Sequence, residues 1–269
     1  MPNAGTRIKV PVADVMAEAY RSVFGQLSRL LDLAWLPLLL VIAATILPGY
    51  LRVYQRLPGL PAWSGDPFGL SFENLGEALI ALLCLSAFAV RWYQSLLFRG
   101  SRQPPRGMFL GGWLRFLAYM LLLYFVAALL LTVMLLADSD GAPPWLAPVL
   151  GAGIFAAWLA PVRCSLVFPA AAIGKPLSLS GAWQALGGNT WRLFATVMLV
   201  SVPTVFIVAM ILSAIFAGFH LDGSEDAPPL GFFLLRGVIG SCADFLVVAL
   251  GVAVVGSFYR RLKLDLRSD

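Results

Sequence analysis

Charged residues are scarce in this 269-residue chain: Asp, Glu, Lys and Arg make up 12% of it, and 60% is hydrophobic. A soluble domain carries about 25% charged residues. That scarcity excludes a water-soluble globular fold, and a mean hydropathy of +0.85 agrees. Histidine is nearly absent, with His220 the one copy. Without a second histidine, the ligand sets of zinc hydrolases and the Ser-His-Asp triad lack their parts. The three cysteines, Cys84, Cys164 and Cys242, lie in apolar runs with no CxxC spacing, which excludes a disulfide framework and a zinc knuckle. A net charge of +5 and a pI near 9.4 raise the question of nucleic acid. No Lys/Arg cluster interleaved with aromatics sits on a polar domain, so no nucleic-acid partner is expected.

What is abundant is long apolar sequence. A helix crosses a hydrocarbon core of about 30 Å with roughly 20 residues, and six runs of that order are present: 33–51, 75–98, 109–137, 145–168, 193–219 and 230–259. None shows the alternating pattern of an outer-membrane barrel, and lipid leaves no exposed backbone amide satisfied, so all six are expected to be helices. The predicted fold is all-α, a six-helix transmembrane bundle forming one integral membrane domain over 1–269. A polar, charged stretch of about thirty residues precedes the first run, which does not fit a cleaved signal peptide.

Basic residues set the predicted orientation. With the N-terminus in the cytoplasm, fourteen of the nineteen Lys and Arg fall on inner segments, among them Arg21, Arg29, Lys175, Arg192, Arg260 and Arg261. Three, Arg52, Arg56 and Arg236, fall outside, and Arg91 and Arg163 fall within the membrane. The positive-inside rule then places both termini in the cytoplasm. Outer loops are short and rich in turn formers, such as Pro58-Gly59 and Pro143-Pro144. Trp63 and Trp145 are expected at the outer headgroups, and Trp35, Trp113 and Trp191 at the inner ones.

Residues 12–31 place Val12, Val15, Met16, Ala19, Val23, Leu27, Leu30 and Leu31 near helical spacing with polar residues between, the pattern of an interfacial amphipathic helix. A second such element spans 177–191. Shifting by 163 residues carries Ala19 onto Ala182, Tyr20 onto Trp183, Gly25 onto Gly188, Gln26 onto Asn189 and Arg29 onto Arg192. Four spans separate the copies, so both return to the cytoplasmic face, as in a parallel internal repeat. Any interfacial helix needing an aromatic, a glycine break and an arginine anchor would give a similar pattern. A shorter echo relates Val90-Arg91 and Val162-Arg163 near the ends of the second and fourth spans.

Ala19-Tyr20-Arg21, six spans, Ala160-Pro161-Val162, Phe168-Pro169, Lys175-Pro176-Leu177-Ser178 and Ala182-Trp183 through Gly188-Asn189-Thr190-Trp191-Arg192-Leu193 together resemble the YciC-type bacterial inner-membrane proteins. They are also similar to the membrane domain of some glycerophosphodiester phosphodiesterases. The resemblance covers most of the chain but rests on architecture and a degenerate motif. It implies a bacterial inner-membrane protein with a link to envelope or lipid metabolism. The phosphodiesterases' hydrolase domain has no counterpart here, so their activity does not carry over.

Chemistry-bearing residues are few. His220 with Asp222, Glu225 and Asp226 offers oxygen and nitrogen ligands, yet a solvated loop explains them better and no metal is expected. Gly151-Ala152-Gly153-Ile154-Phe155-Ala156 matches GxGxxA without the strand that a dinucleotide site requires; no cofactor is expected, and the small residues suit close helix contact. Charges inside the membrane are more informative. Counted from the outer ends of their spans, Arg91, Arg163 and Asp244 lie about 24, 27 and 21 Å deep. Both arginines can snorkel inward, whereas Asp244 must face the bundle and be protonated or paired. Arg91, Arg163 and Asp244, with Ser95, Ser165 and Ser241 nearby, are the candidate ligand site, suited to a phospholipid headgroup or other anionic amphiphile. A structural ion pair fixing helix register is the competing reading, and Asp244 in proton-coupled transport another. No nucleophile-base set is present, so an enzyme is not expected. Membrane lipids and other proteins of the envelope are the expected partners; nothing in the sequence sets an oligomeric state.

Overall fold

The computed structural model describes residues 9–54, 72–98, 108–137, 146–175, 177–220 and 230–262. Among these residues there are nine helices and no strand. They are α1 (Val12–Phe24), α2 (Leu27–Tyr54), α3 (Phe72–Leu97), α4 (Met108–Ala137), α5 (Leu146–Cys164), α6 (Val167–Ala172), α7 (Leu179–Ala185), α8 (Thr190–His220) and α9 (Leu230–Arg261). The fold is all-α. The acidic loop after His220, the outer loops with Trp63 and Trp145, and Lys263 and Arg267 lie outside the described residues.

Five of these helices, α2, α3, α4, α8 and α9, are long and apolar enough to cross a membrane, and the chain is a multi-pass membrane protein. Among the described residues five such spans are found against the six expected. The remaining run, 145–168, forms the 19-residue α5 and then breaks, with a turn at Ser165–Leu166 before the six-residue α6. Proline explains the break. Pro169 has no N–H to offer the Ser165 carbonyl and its ring would collide with that group in a continuing helix. The chain tightens instead: Phe168 N–H donates to the Ser165 carbonyl at 3.1 Å and Ser165 N–H to the Val162 carbonyl at 3.3 Å.

Short α6 is buried at Val167, Pro169, Ala170, Ala171 and Ala172, and its end carbonyls are all taken. Gly174, at φ +73°, reverses the chain so that its N–H donates to Ala171 O and the next N–H, of Lys175, to Ala170 O. This is a Schellman termination, which favours glycine because an L side chain is strained at positive φ. The third carbonyl, of Ala172, accepts from Gln94 Nε2 of α3 at 2.9 Å. Gly112 lets α4 come against the same end of α6: a Cβ there would stand 2.9 Å from Ala171 O and 3.2 Å from Ala172 O.

The two copies of the repeat keep their register. α2 starts at Leu27 and α8 at Thr190, positions that the 163-residue shift superimposes. Each helix is opened by the amide residue before it: Leu30 N–H donates to the Gln26 carbonyl, and Leu193 N–H to the Asn189 carbonyl, both at 2.9 Å. Expected as one helix over 12–31, the first copy is α1 ending at Phe24, a turn at Gly25–Gln26, and then α2. Expected over 177–191, the second is the shorter α7, with Ser178 Oγ accepting from Gly181 N–H at its start. Gly188 sits at φ +86° and Gly25 does not share that conformation, so the two turns differ in backbone geometry. In α1 the stripe Val15, Ala19, Val23 is wholly buried within the protein.

The chain forms two compact units assembled from distant segments. One comprises 1–22, 90–198 and 252–269; the other comprises 23–89 and 199–251. In the first, Phe116 packs its ring 4.8 Å from Phe168 and 6.2 Å from Tyr93. In the second, Phe88 and Phe245 meet at 5.0 Å, joining α3 to α9, and Gly237 of α9 lies against Ile46 of α2.

Candidate functional site

Arg163 stands in the last turn of α5, just before the break that Pro169 imposes. Two elements downstream close on it. Its Nε donates to Thr190 Oγ1, in the first turn of α8, at 3.1 Å. Its guanidinium carbon lies 4.3 Å from the ring centroid of Trp183 in α7, within the range of a cation–π contact. One face and one N–H are thus occupied, while among the described residues its two η-nitrogens have no hydrogen-bond partner. A guanidinium so held presents the fork that matches phosphate or carboxylate oxygens, with less side-chain freedom left to lose on binding. On the same elements, exposed Phe155 of α5 and Trp191 of α8 meet at 5.8 Å, and Trp191 meets half-buried Phe194 edge-on at 5.8 Å.

Arg91 repeats the arrangement in simpler form. Exposed near the end of α3, it places its guanidinium carbon 4.9 Å from the centroid of Phe109 in α4. Phe109 in turn stacks on Trp113, with planes 5° apart. The Val-Arg echo seen in the sequence therefore corresponds to a shared device, an arginine near a helix end covered by an aromatic from a later helix. Within their unit, and among the described residues, neither arginine forms an ion pair.

Asp244 belongs to the other unit. Its side chain is exposed on α9, where an inward, paired position was expected. The candidate serines also differ from expectation. Ser95 Oγ donates to Trp92 O at 3.0 Å and Ser165 Oγ to Val162 O at 2.8 Å, so each turns back onto its own helix, a common way for a buried hydroxyl to be satisfied. Ser241 is buried.

Sequence reasoning missed the role of the segment before α1. Val10, fully buried, is held by its backbone: its N–H donates to Asn189 Oδ1 at 3.1 Å, and its carbonyl accepts from Arg192 Nη1 at 3.0 Å. Trp183, Asn189, Thr190 and Arg192, all in the motif that carried the family resemblance, are thus used to hold Arg163 and the N-terminal segment. The available signal was the spacing of an amide and an arginine three apart at a helix start. No group of His, Cys, Asp and Glu suited to a metal ion occurs among the described residues. Comparison with protein-family models, with curated proteins and with solved structures finds no match for this chain.

Proposed function

We propose that the protein binds, or moves, a lipid or other anionic amphiphile at Arg163 and Arg91, and that it does so in a bacterial inner membrane with both termini in the cytoplasm. The observation that carries the reading is Arg163: stacked on Trp183, tied by Nε to Thr190, with its η-nitrogens unpartnered among the described residues. An anionic headgroup would complete its hydrogen bonding, and the exposed Phe155 and Trp191 offer apolar surface for acyl chains. Asp244, in the other unit, is read separately, as a carboxylate able to carry a proton. The distribution of basic residues supports the orientation, and α1 and α7 would lie along the cytoplasmic leaflet as amphipathic helices. The likeness to YciC-type proteins points the same way. The chain is read as non-catalytic.

The test is native mass spectrometry of the purified protein with phosphatidylglycerol and with phosphatidylcholine. Wild type should retain the anionic lipid preferentially, and Arg163→Ala with Arg91→Ala should lose that preference. Equal retention of both lipids by wild type, or no change in the variants, would remove the reading. A scaffold or assembly factor for envelope proteins is the second reading. It draws on the use of Arg163, Asn189 and Arg192 to hold this chain's own segments, and it predicts an unchanged lipid profile in the same variants.

A further inference from the structure

A second pair of arginines ends the longest apolar helix. Arg260 and Arg261 close α9 at the limit of its membrane-crossing stretch, Leu234–Arg261, the level at which lipid phosphates lie. Such a pair would ordinarily face headgroups. Here it faces α1: Glu18 carries one oxygen to Arg260 Nη2 and the other to Arg261 Nη2 at 3.3 Å, and Asp14 lies 3.7 Å from Arg261 Nη1. Asp14 and Glu18 are one helical turn apart and so share a face of α1.

These partners do not saturate the arginines. Among the described residues Arg260 Nε is buried with no hydrogen-bond partner, and its Nη2 reaches Ser257 Oγ only at 3.4 Å. The Arg261–Asp14 contact is beyond hydrogen-bond length, and the Asp14 side chain is 64% exposed. Ion pairs this accessible to solvent hold weakly. Meanwhile α1 is kept in place independently, by buried Val15 and Ala19 and by the backbone clamp on Val10. Asp14 can therefore turn aside without the helix leaving, and Glu18, which bridges both arginines, is the contact that a stronger acceptor has to displace.

We propose that Arg260 and Arg261 form a second anion site, one that takes the phosphate of an anionic lipid headgroup, and that Asp14 and Glu18 are its built-in competitor. A phosphate has more acceptor oxygens than the single carboxylate that Glu18 offers, and it reaches the end of α9 from the bilayer side. The carboxylates repel it, so occupancy demands a membrane rich in anionic lipid. This site is separate from Arg163 and does not depend on the function proposed there.

The experiment uses the full chain, purified and delipidated, titrated with phosphatidylglycerol, phosphatidylcholine or inorganic phosphate and read by native mass spectrometry. Asp14→Asn with Glu18→Gln should raise phosphatidylglycerol occupancy about fivefold at a fixed subsaturating concentration. Adding Arg260→Gln and Arg261→Gln should abolish that gain, while Arg163→Ala should leave it. No gain in the Asn/Gln variant, or a gain that survives loss of both arginines, overturns the proposal. So does displacement of the gained lipid by millimolar inorganic phosphate, which would assign the site to the free ion. Helical circular dichroism checks folding. If the double variant fails that check, Asp14→Asn alone carries the same comparison, with a smaller gain expected and no gain again overturning the proposal.

Discussion

At the scale of single residues, the most consequential side chain is Asn189. It is buried, and it accepts from the N–H of Val10, which is itself buried. Removing a buried acceptor leaves the donor unsatisfied, at about 1–3 kcal/mol. Asn189→Leu should lower stability by that amount in thermal unfolding in detergent, whereas Gln184→Leu, at an exposed position of α7, should stay within about 0.5 kcal/mol. Matching midpoints for the two variants would show that the clamp contributes nothing. Gly188 offers a second comparison because its repeat partner differs in conformation. At φ +86° an alanine is strained by about 1–2 kcal/mol. Gly188→Ala should therefore unfold at a lower temperature than Gly25→Ala, and the opposite order would contradict the turn geometry.

At the scale of elements, adjacent glycines in α4 should behave differently. Gly111 has open space where a Cβ would go, and Gly112 has the carbonyl oxygens of Ala171 and Ala172. Gly111→Ala should be neutral or stabilising by up to about 1 kcal/mol through helix propensity. Gly112→Ala has to push two backbones apart and should cost about 1–3 kcal/mol. Equal unfolding midpoints would mean that α4 and α6 do not approach so closely. Much of this level was legible in the sequence. Apolar runs bounded by charge gave α3, α4 and α9 to within a few residues, because length and hydropathy alone decide where a chain can enter lipid. The 163-residue shift aligned the first residues of α2 and α8. What was not legible has a common cause. The break between α5 and α6 depends on Pro169 acting on a helix that hydropathy reads as continuous, and the turn at Gly25 carries no signal strong enough to interrupt an apolar periodicity. The residues that contact Arg91 and Arg163 come from elsewhere in the chain, and only tertiary packing selects Phe109 and Trp183 from 33 aromatic residues (18 Phe, 7 Tyr, 8 Trp). Asn189 and Arg192, three apart at a helix start, mark one half of the clamp, but their partner is the backbone of Val10, which residue identity does not single out.

For the whole molecule, the prediction concerns threading. If the basic residues govern insertion, reporters fused at the two ends should both be active in the cytoplasm and silent outside it. Either end found outside would reverse every assignment of depth, and with it the inner-leaflet location of the proposed lipid site. That outcome would leave the helices and the internal repeat untouched, since those rest on packing and register. Asp244 bears on the same scale. An exposed carboxylate within a membrane-crossing helix is unfavourable unless water, a proton or another group meets it. Asp244→Asn should be tolerated or slightly stabilising in thermal unfolding in detergent if the carboxylate is merely accommodated, and a lower unfolding midpoint would show that the carboxylate itself is needed.

The clamp on Val10 also imposes an order on biosynthesis. Its two halves are separated by 179 positions, so at roughly 5–20 residues per second the leading segment waits about 10–40 s for the amide and guanidinium that will grip it. During that interval the growing polypeptide already has four of its apolar stretches available to the translocon, with its first turn still untethered. Final closure thus belongs to a late stage, after emergence of α8, and a ribosome stalled just short of Asn189 would yield inserted helices whose leading end remains open to proteolysis.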